Sequence, residues 1–324
     1  MSAIWITGAD GFAGTWLRRL LESQGQQWAA FCSPGRESQL PIGSSFTTMN
    51  LAEAARIPSG EAVADFDALP EPSGLIHLAA ISSPPVCEAH PSLAQAVNVA
   101  GPQRFYESVL KRWPDCPIVH VSSGHVYKPA NHPLREDEIL EPVNVYGRTK
   151  LDGEAMAQAL SKKGHRVTVV RPFNHTGAGQ LPIFALPSFA MRLAQLEADG
   201  GGELPVGWLG GVRDFLHVKQ VAQGYLDILS SAGQADLVNL CSGQGQVVGD
   251  LLDGLLQRFE GKICLKQDQT RLRGGADADQ LIGDTTRLRA LLGYVPELDV
   301  DSLLDELVAD SRSRILAGED LSSA

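Results

Sequence analysis

Through the first half of the chain, short apolar runs alternate with stretches whose apolar side chains recur every three or four positions. The runs Ala3 to Thr7, Trp28 to Cys32, Phe46 to Met49, Leu75 to Ala80, Pro117 to Val121 and Arg166 to Val170 have the length and apolar character of strands buried on both faces. His77, inside the fourth run, reads as a satisfied core residue. Between the runs, Trp16, Leu17, Leu20 and Leu21 predict one helix, and a Pro-rich loop from Ser82 to Pro91 leads into another ending near Trp113. A third starts at Tyr146 and stops near Gly164, which suits a C-cap. Such alternation predicts an α/β fold, a doubly wound parallel sheet whose ligands lie outside the carboxyl ends of the strands.

From His175 onward the pattern loosens. Asp199 to Gly211 is Gly-rich and reads as a loop or hairpin, Val218 to Leu229 as a helix, and Leu237 to Leu240 as a strand rejoining the sheet. Further helices are predicted at Leu251 to Phe259 and Val300 to Leu307. The expected division is a larger domain from 1–173 and 214–242, with a smaller C-terminal one from 174–213 and 243–324 covering the strand ends.

Composition narrows the partners. A 324-residue chain with 44% hydrophobic residues buries a sizeable core, and a formal charge of −11 argues against nucleic acid or an anionic membrane surface. The five cysteines, an odd number with no C-x-x-C spacing, suggest neither a disulfide framework nor a metal site. The opening MSAIWITG enters a strand with no basic or long apolar segment, so a cytoplasmic protein is expected.

Two constellations carry chemistry. Gly8, Gly11 and Gly14 sit between the first strand and the first helix, with Asp10 and Phe12 in the same turn. Strand, glycine turn and helix form a cradle for a dinucleotide pyrophosphate, as in a Rossmann-like fold. The second strand ends in Cys32-Ser33 with Arg36 following and no acid before Glu37, which favours NADP(H) and leaves NAD(H) open. Asn50-Leu51 falls near where an adenine would lie. The second constellation is Ser123 with Tyr146 and Lys150. Four residues apart on one helix face, an ammonium stands beside a phenol and is expected to lower its pKa, while Ser123 at a strand end donates to the same carbonyl oxygen.

Thr7-Gly8-x-x-Gly11-Phe12-x-Gly14, His77-Leu78-Ala79-Ala80, Ser122-Ser123-Gly124-His125-Val126-Tyr127 and Tyr146-x-x-x-Lys150 together resemble the extended short-chain dehydrogenases of the epimerase/dehydratase family acting on nucleotide sugars. Arg171 to Gln180, Arg213 to Val218 and Asn239 to Gly243 are most similar, within it, to reductases of GDP-4-keto-6-deoxy-D-mannose that form GDP-D-rhamnose. The resemblance implies Tyr146 as acid/base, Lys150 on the nicotinamide ribose and Ser123 on the substrate, with further cofactor contacts at Leu78, Ala79, Ala80, Asn98 and Pro172. It implies substrate contacts at Ser82, His125, Asn174, Gln180, Arg213 and Arg273, and a homodimer formed by the helices Gln95 to Trp113 and Lys150 to Lys163. Two departures stand out: Lys128 where Gly is usual, and His125 where related reductases often have Asp; the dehydratases of this family carry acids at the two positions after the Ser or Thr, here Gly124 and His125. Dehydration is therefore disfavoured, and His125 is read as facing solvent rather than as a proton carrier. A 4-epimerase holding NAD and a non-catalytic dinucleotide sensor are the competing readings.

Overall fold

A computed structural model describes residues 2–59, 61–268 and 280–319. In chain order the first part runs β1 Ala3–Thr7, α1 Phe12–Ser23, β2 Trp28–Cys32, β3 Ser45–Thr48, α2 Leu51–Ala54, β4 Pro72–His77, α3 Pro84–Ala89, α4 Pro91–Gln95, a π turn at Ala96–Ala100, α5 Gly101–Arg112, β5 Ile118–Val121, α6 Val145–Ser161 and β6 Val167–Pro172. The second part follows as β7 Asn174–Thr176, α7 Ala185–Ala198, β8 Gly201–Val206, β9 Val212–His217, α8 Val218–Ser230, β10 Leu237–Leu240, β11 Gly245–Val247, α9 Val248–Leu256, β12 Lys262–Gln267, β13 Gln280–Leu281, α10 Thr286–Leu292 and α11 Val300–Leu316.

Seven strands form one sheet in the order β10-β6-β5-β4-β1-β2-β3, parallel at every pairing. Successive side chains along a strand take opposite faces, and here both faces are covered. Ile6, Ala30, Ile76, Val119 and Val170 pack against Leu17 and Leu21 of α1 and Val221, Tyr225 and Ile228 of α8. Their neighbours Trp5, Phe31, Leu75, Ile118 and Val169 pack against Phe105 and Val109 of α5 and Ala157 and Leu160 of α6. Each Val, Leu, Ile or Phe side chain so removed from water contributes about 1.5–3 kcal/mol. The order reverses direction between β1 and β4, which opens a crevice at the carboxyl edge.

A separate core joins Leu193 of α7, Leu204 of β8, Leu252 of α9 and Leu304 of α11. Beside it, β9 pairs with β7, β11 and β13 in a four-stranded sheet, and β8 pairs with β12 in a two-stranded one. Here the sequence expectations need correction. Asp199 to Gly211 is neither a loop nor a hairpin throughout, since Gly201–Val206 forms a strand parallel to the distant β12. The Pro-rich loop is helical for much of its length, because Pro84 and Pro91 each occupy a first helical turn, where the missing N–H costs nothing. The fourth strand stops at His77, and Ala79 N donates to Thr7 Oγ1 at 3.1 Å instead of extending the ladder. His77 is the core residue expected, its Nδ1 2.9 Å from the same hydroxyl.

Below the carboxyl edge lies a buried ion pair. Arg171 of β6 grips Glu154 of α6 through Nε to Oε1 at 2.8 Å and Nη2 to Oε2 at 2.6 Å, while Nη1 donates to Glu136 O at 3.1 Å. Ser122 Oγ donates to the same carboxylate, and the guanidinium lies 4.6 Å over the Tyr127 ring. The pair ties the end of β5 and helix α6 to β6, one turn beyond Lys150. Replacing Arg171 alone leaves a desolvated carboxylate, so Arg171→Met is expected to lower the unfolding free energy by about 3–5 kcal/mol in urea titration, and Arg171→Met with Glu154→Leu to recover most of it. Equal losses in the single and double variants would refute the pairing as the cause.

Candidate active site at the carboxyl edge of the parallel sheet

The glycine turn leaves β1 with Gly8 at φ 66°, where a Cβ would lie 2.9 Å from Ala79 N, so the site suits glycine on both counts. A Cβ on Gly14 would meet Gly8 O at 2.2 Å, which shows how closely α1 packs on the turn. No side chain caps the first turn of α1. Its N–H groups and dipole are thus open to a pyrophosphate, and the cradle fits the dinucleotide that the motif implies. Beyond β2, Arg36 reaches back to this turn, with Nε 2.7 Å from Asp10 Oδ2, while Nη2 donates to Gln39 Oε1 at 2.6 Å. Ser33 is exposed beside it. Asn50 caps α2 through Ala52 N at 3.0 Å, and Leu51 is buried. Phe12 stacks in parallel on His175, ring centroids 6.3 Å apart.

Leu78, Ala79 and Ala80 follow β4 at the same edge. Asn98 in the π turn holds the next residue by both ends of its amide, accepting from Ile81 N at 2.8 Å and donating to Ile81 O at 3.1 Å, and also donates to Thr149 Oγ1 at 2.9 Å. This fastens the exit of β4 to α6 beside Lys150. Pro172 ends β6 and is buried.

Ser123, Tyr146 and Lys150 come together across the exit of β5 and the first turns of α6. Asn144 Oδ1 caps α6 by accepting from Gly147 N at 2.8 Å, and Glu88 Oε1 of α3 accepts from Val145 N at 2.7 Å. Ser123 Oγ accepts from His125 N at 3.2 Å. Burial pushes Tyr146 up to about 12 against the pull of the Ser123 hydroxyl, with the buried Cys87 thiol beside it adding to the rise. The expectation that Lys150 depresses the phenol is not met. Lys150 Nζ stands 5.9 Å from the Tyr146 ring centroid and donates to Val121 O at 2.9 Å, and burial pushes Lys150 itself down to about 8 against the Cys87 thiol and the Glu154 carboxylate. Tyr146 is therefore a protonated phenol at neutral pH, a donor rather than a base. Cys87 and Glu88 carried no signal in the sequence, since only the fold brings α3 against α6.

His125 is exposed, as expected, and its ring lies edge-on to Tyr146 at 6.1 Å. Ser82 is exposed ahead of α3. Asn174 sits in β7, half-buried, and Arg213 in β9, where its Nη1 donates to Val212 O at 2.9 Å. Gln180 is buried, with Nε2 donating to His175 O at 3.3 Å. Arg273 lies outside the described residues. The neighbour of Arg213 was missed. Asp214, fully buried, accepts from Ser242 N at 2.9 Å, Ser242 Oγ at 2.6 Å, Gly243 N at 2.8 Å and Gly283 N at 3.3 Å, and so fixes β9 against the exit of β10. Burial raises its carboxyl pKa while these bonds pull it down. Among the described residues no group of three His, Cys, Asp or Glu could hold a metal ion, and no helix is long and apolar enough to cross a membrane.

A sequence model of the NAD dependent epimerase/dehydratase family matches residues 4–241. The chain belongs to that family. It is an NAD(P)-dependent oxidoreductase of the extended short-chain dehydrogenase type. It is 30% identical over 318 residues to GDP-6-deoxy-D-mannose reductase of Pseudomonas aeruginosa, an alignment covering 96% of this chain and 98% of the relative. The structure of RMD from Pseudomonas aeruginosa complexed with NADPH superposes with a TM-score of 0.80 at 29% identity, covering 97% and 99% of the two chains. UDP-glucose 4-epimerase of Rhizobium meliloti is 24% identical over 320 residues, 93% of this chain and 94% of that protein.

The Lys150 shift sets a pH dependence. Its pKa falls from 10.5 to about 8 in the folded protein. Between these values the unfolded chain carries a proton on Lys150 that the folded protein has lost, so this stabilisation grows as pH rises and disappears as pH falls to 8. Urea unfolding at pH about 8 and about 10 is expected to show the wild type gaining on the order of 2 kcal/mol more than Lys150→Met. Identical gains would mean that Lys150 is solvated in the folded state.

Proposed function

We propose that the chain reduces a 4-keto nucleotide-sugar, GDP-4-keto-6-deoxy-D-mannose to GDP-D-rhamnose, with NADP(H) as preferred cofactor and NAD(H) as a substitute. The observation that carries this reading is that the exit of β5 and the first turns of α6 bring Ser123, Tyr146 and Lys150 together, all three buried, with the ammonium 5.9 Å from the phenol ring. Carbonyl reduction consumes a proton, and a phenol carries one at neutral pH. The GDP-6-deoxy-D-mannose reductase relative and the NADPH of the structural neighbour support substrate class and cofactor.

NADPH, when bound, supplies the hydride. Ser123 and Tyr146 donate to the C4 carbonyl oxygen, stabilise the charge that develops there and deliver the phenolic proton. Lys150, four residues along α6, would hold the nicotinamide ribose, and Asn98 fixes the loop after β4 at the edge where the cofactor would bind. Arg36, paired with Asp10 in this structure, would hold a 2′-phosphate, to which a guanidinium fork is well matched. Arg213 meets the diphosphate, while Asn174, Gln180 and Ser82 line the sugar-nucleotide side. No carboxylate occupies the two positions after Ser123, so water elimination lacks its acid/base pair. The two hydrophobic cores of the seven-stranded sheet and the third core around α7 and α11 support dinucleotide and substrate domains at 1–173 with 214–242 and at 174–213 with 243–324. The outer face of α6, with Ala155 and Ala159 exposed beside Arg148 and Asp152, is the surface on which a homodimer would form with α5.

Absorbance at the nicotinamide band tests the reading. Purified protein mixed with the keto-sugar nucleotide is expected to consume NADPH stoichiometrically, and Tyr146→Phe to lose turnover while keeping cofactor affinity. A 4-epimerase would convert substrate without consuming cofactor, and a sensor would bind NADPH without turnover. Arg36→Ala is expected to raise KM for NADPH about tenfold, the equivalent of one charge-assisted hydrogen bond, and to leave KM for NADH unchanged. An equal effect on both cofactors would remove Arg36 from 2′-phosphate recognition.

A further inference from the structure

The segment after β7 is held by side chains far from it in sequence. Ala178 N donates to Glu306 Oε1 at 2.7 Å and Gly179 N to Asp310 Oδ2 at 3.1 Å, while Arg314 Nη1 donates to Gln180 O at 2.9 Å and to Asp310 Oδ2 at 3.2 Å. Glu306, Asp310 and Arg314 are spaced four residues apart on α11 and so present one stripe to the loop. From the opposite side Trp16 Nε1 of α1 donates to Ala178 O at 3.2 Å. Glu306 is itself fixed. His217 Nδ1 accepts from Lys219 N at 3.0 Å, which leaves the proton on Nε2, and Nε2 lies 3.0 Å from each Glu306 oxygen. The Trp16 ring meets His217 edge-on at 5.2 Å.

Within this clamp, two buried side-chain oxygens, Thr176 Oγ1 and Gln180 Oε1, find no hydrogen-bond partner among the described residues. Gln180 is only 6% exposed, and its amide nitrogen is already committed to His175 O. A buried acceptor left without a donor costs about 1–3 kcal/mol, so a loop free to relax would turn the carboxamide outward. Three side chains of α11 and one of α1 hold the loop's backbone against such relaxation.

We propose that Glu306, Asp310 and Arg314 are positioning residues that preset the loop 176–180 so that Gln180 Oε1 accepts a hydrogen bond from a donor group of the nucleotide-sugar. The inference rests on the nucleotide-sugar reading above and adds to it the polarity of the contact: the group opposite Gln180 is a hydroxyl or N–H. Preorganisation lowers the ordering cost at binding, so the clamp acts on substrate affinity while cofactor affinity, set at the glycine turn, stays put.

Calorimetry of the full-length protein with GDP, GDP-mannose and, separately, NADPH distinguishes the outcomes. Glu306→Ala and Arg314→Met are expected to weaken GDP-mannose about tenfold with NADPH affinity unchanged. Glu306→Gln, which keeps an acceptor for Ala178 N, is expected to restore affinity to within about threefold of wild type. Gln180→Leu is expected to reproduce the loss. A loss seen with GDP as well as GDP-mannose places the donor on the nucleoside, and a loss with GDP-mannose alone places it on the hexose. Parallel loss of NADPH affinity, failure of Glu306→Gln to rescue, or unchanged GDP-mannose affinity in Glu306→Ala and Arg314→Met would overturn the positioning role. Should the wild type bind neither GDP nor GDP-mannose while binding NADPH, the nucleotide-sugar reading falls and this inference with it.

Discussion

The architecture depends on one constraint: every strand of the main sheet runs in the same direction, so every strand exit falls on one edge. Hydrogen bonds of the ladder end there, and the departing backbone must be satisfied by side chains. Thr7 Oγ1 takes Ala79 N, Asn98 takes both polar groups of Ile81, Ser123 Oγ takes His125 N and Asn144 takes Gly147 N. The candidate site residues are those next to, or among, the ones that terminate strands and begin helices. A site at this edge inherits rigidity from a sheet covered on both faces.

Burial decides the electrostatics of that site more than neighbouring charges do. The Tyr146 phenol is raised and the Lys150 ammonium lowered by the same desolvation, so each is biased toward its neutral form. The ionised groups that do sit deep in the protein are satisfied by geometry: Glu154 by both prongs of Arg171 and by Ser122, and Asp214 by four donors. In such surroundings an unsatisfied polar atom is costly, and a fixed dipole is effective. The orphaned oxygens of Thr176 and Gln180 matter for this reason, since among the described residues His120 Nε2 is the one other buried side-chain atom left without a partner.

The second half of the chain reaches the edge by a different route. Its strands are short, its sheets have four and two strands, and its helix α11 supplies carboxylates to a loop more than a hundred residues earlier. The clamp on 176–180 joins α1, which follows the glycine turn, to the last helix described, and thereby links the two sides of the crevice.

The parallel sheet was legible because strands buried on both faces must be apolar along their length and helices covering them must repeat every three or four residues. The glycine turn and the Tyr146 and Lys150 pair could be proposed from sequence because their spacing is local, a strand end before a helix and four residues along one helix face, and Ser123 because it ends an apolar run. The two-stranded pairing of Gly201–Val206 with Lys262–Gln267 was not, because the glycines signal flexibility and the partner lies sixty residues away. Nor could the sequence assign the direction in which the Tyr146 pKa moves, which follows from burial and not from the Lys four positions on. The pairing of Arg171 with Glu154, the four donors around Asp214 and the hold of Glu306 on Ala178 depend on contacts between segments with no common periodicity. Local chemistry and hydrophobic pattern set the fold class and the candidate site; only long-range packing decided the burial of its residues and the exact placing of the loops around them.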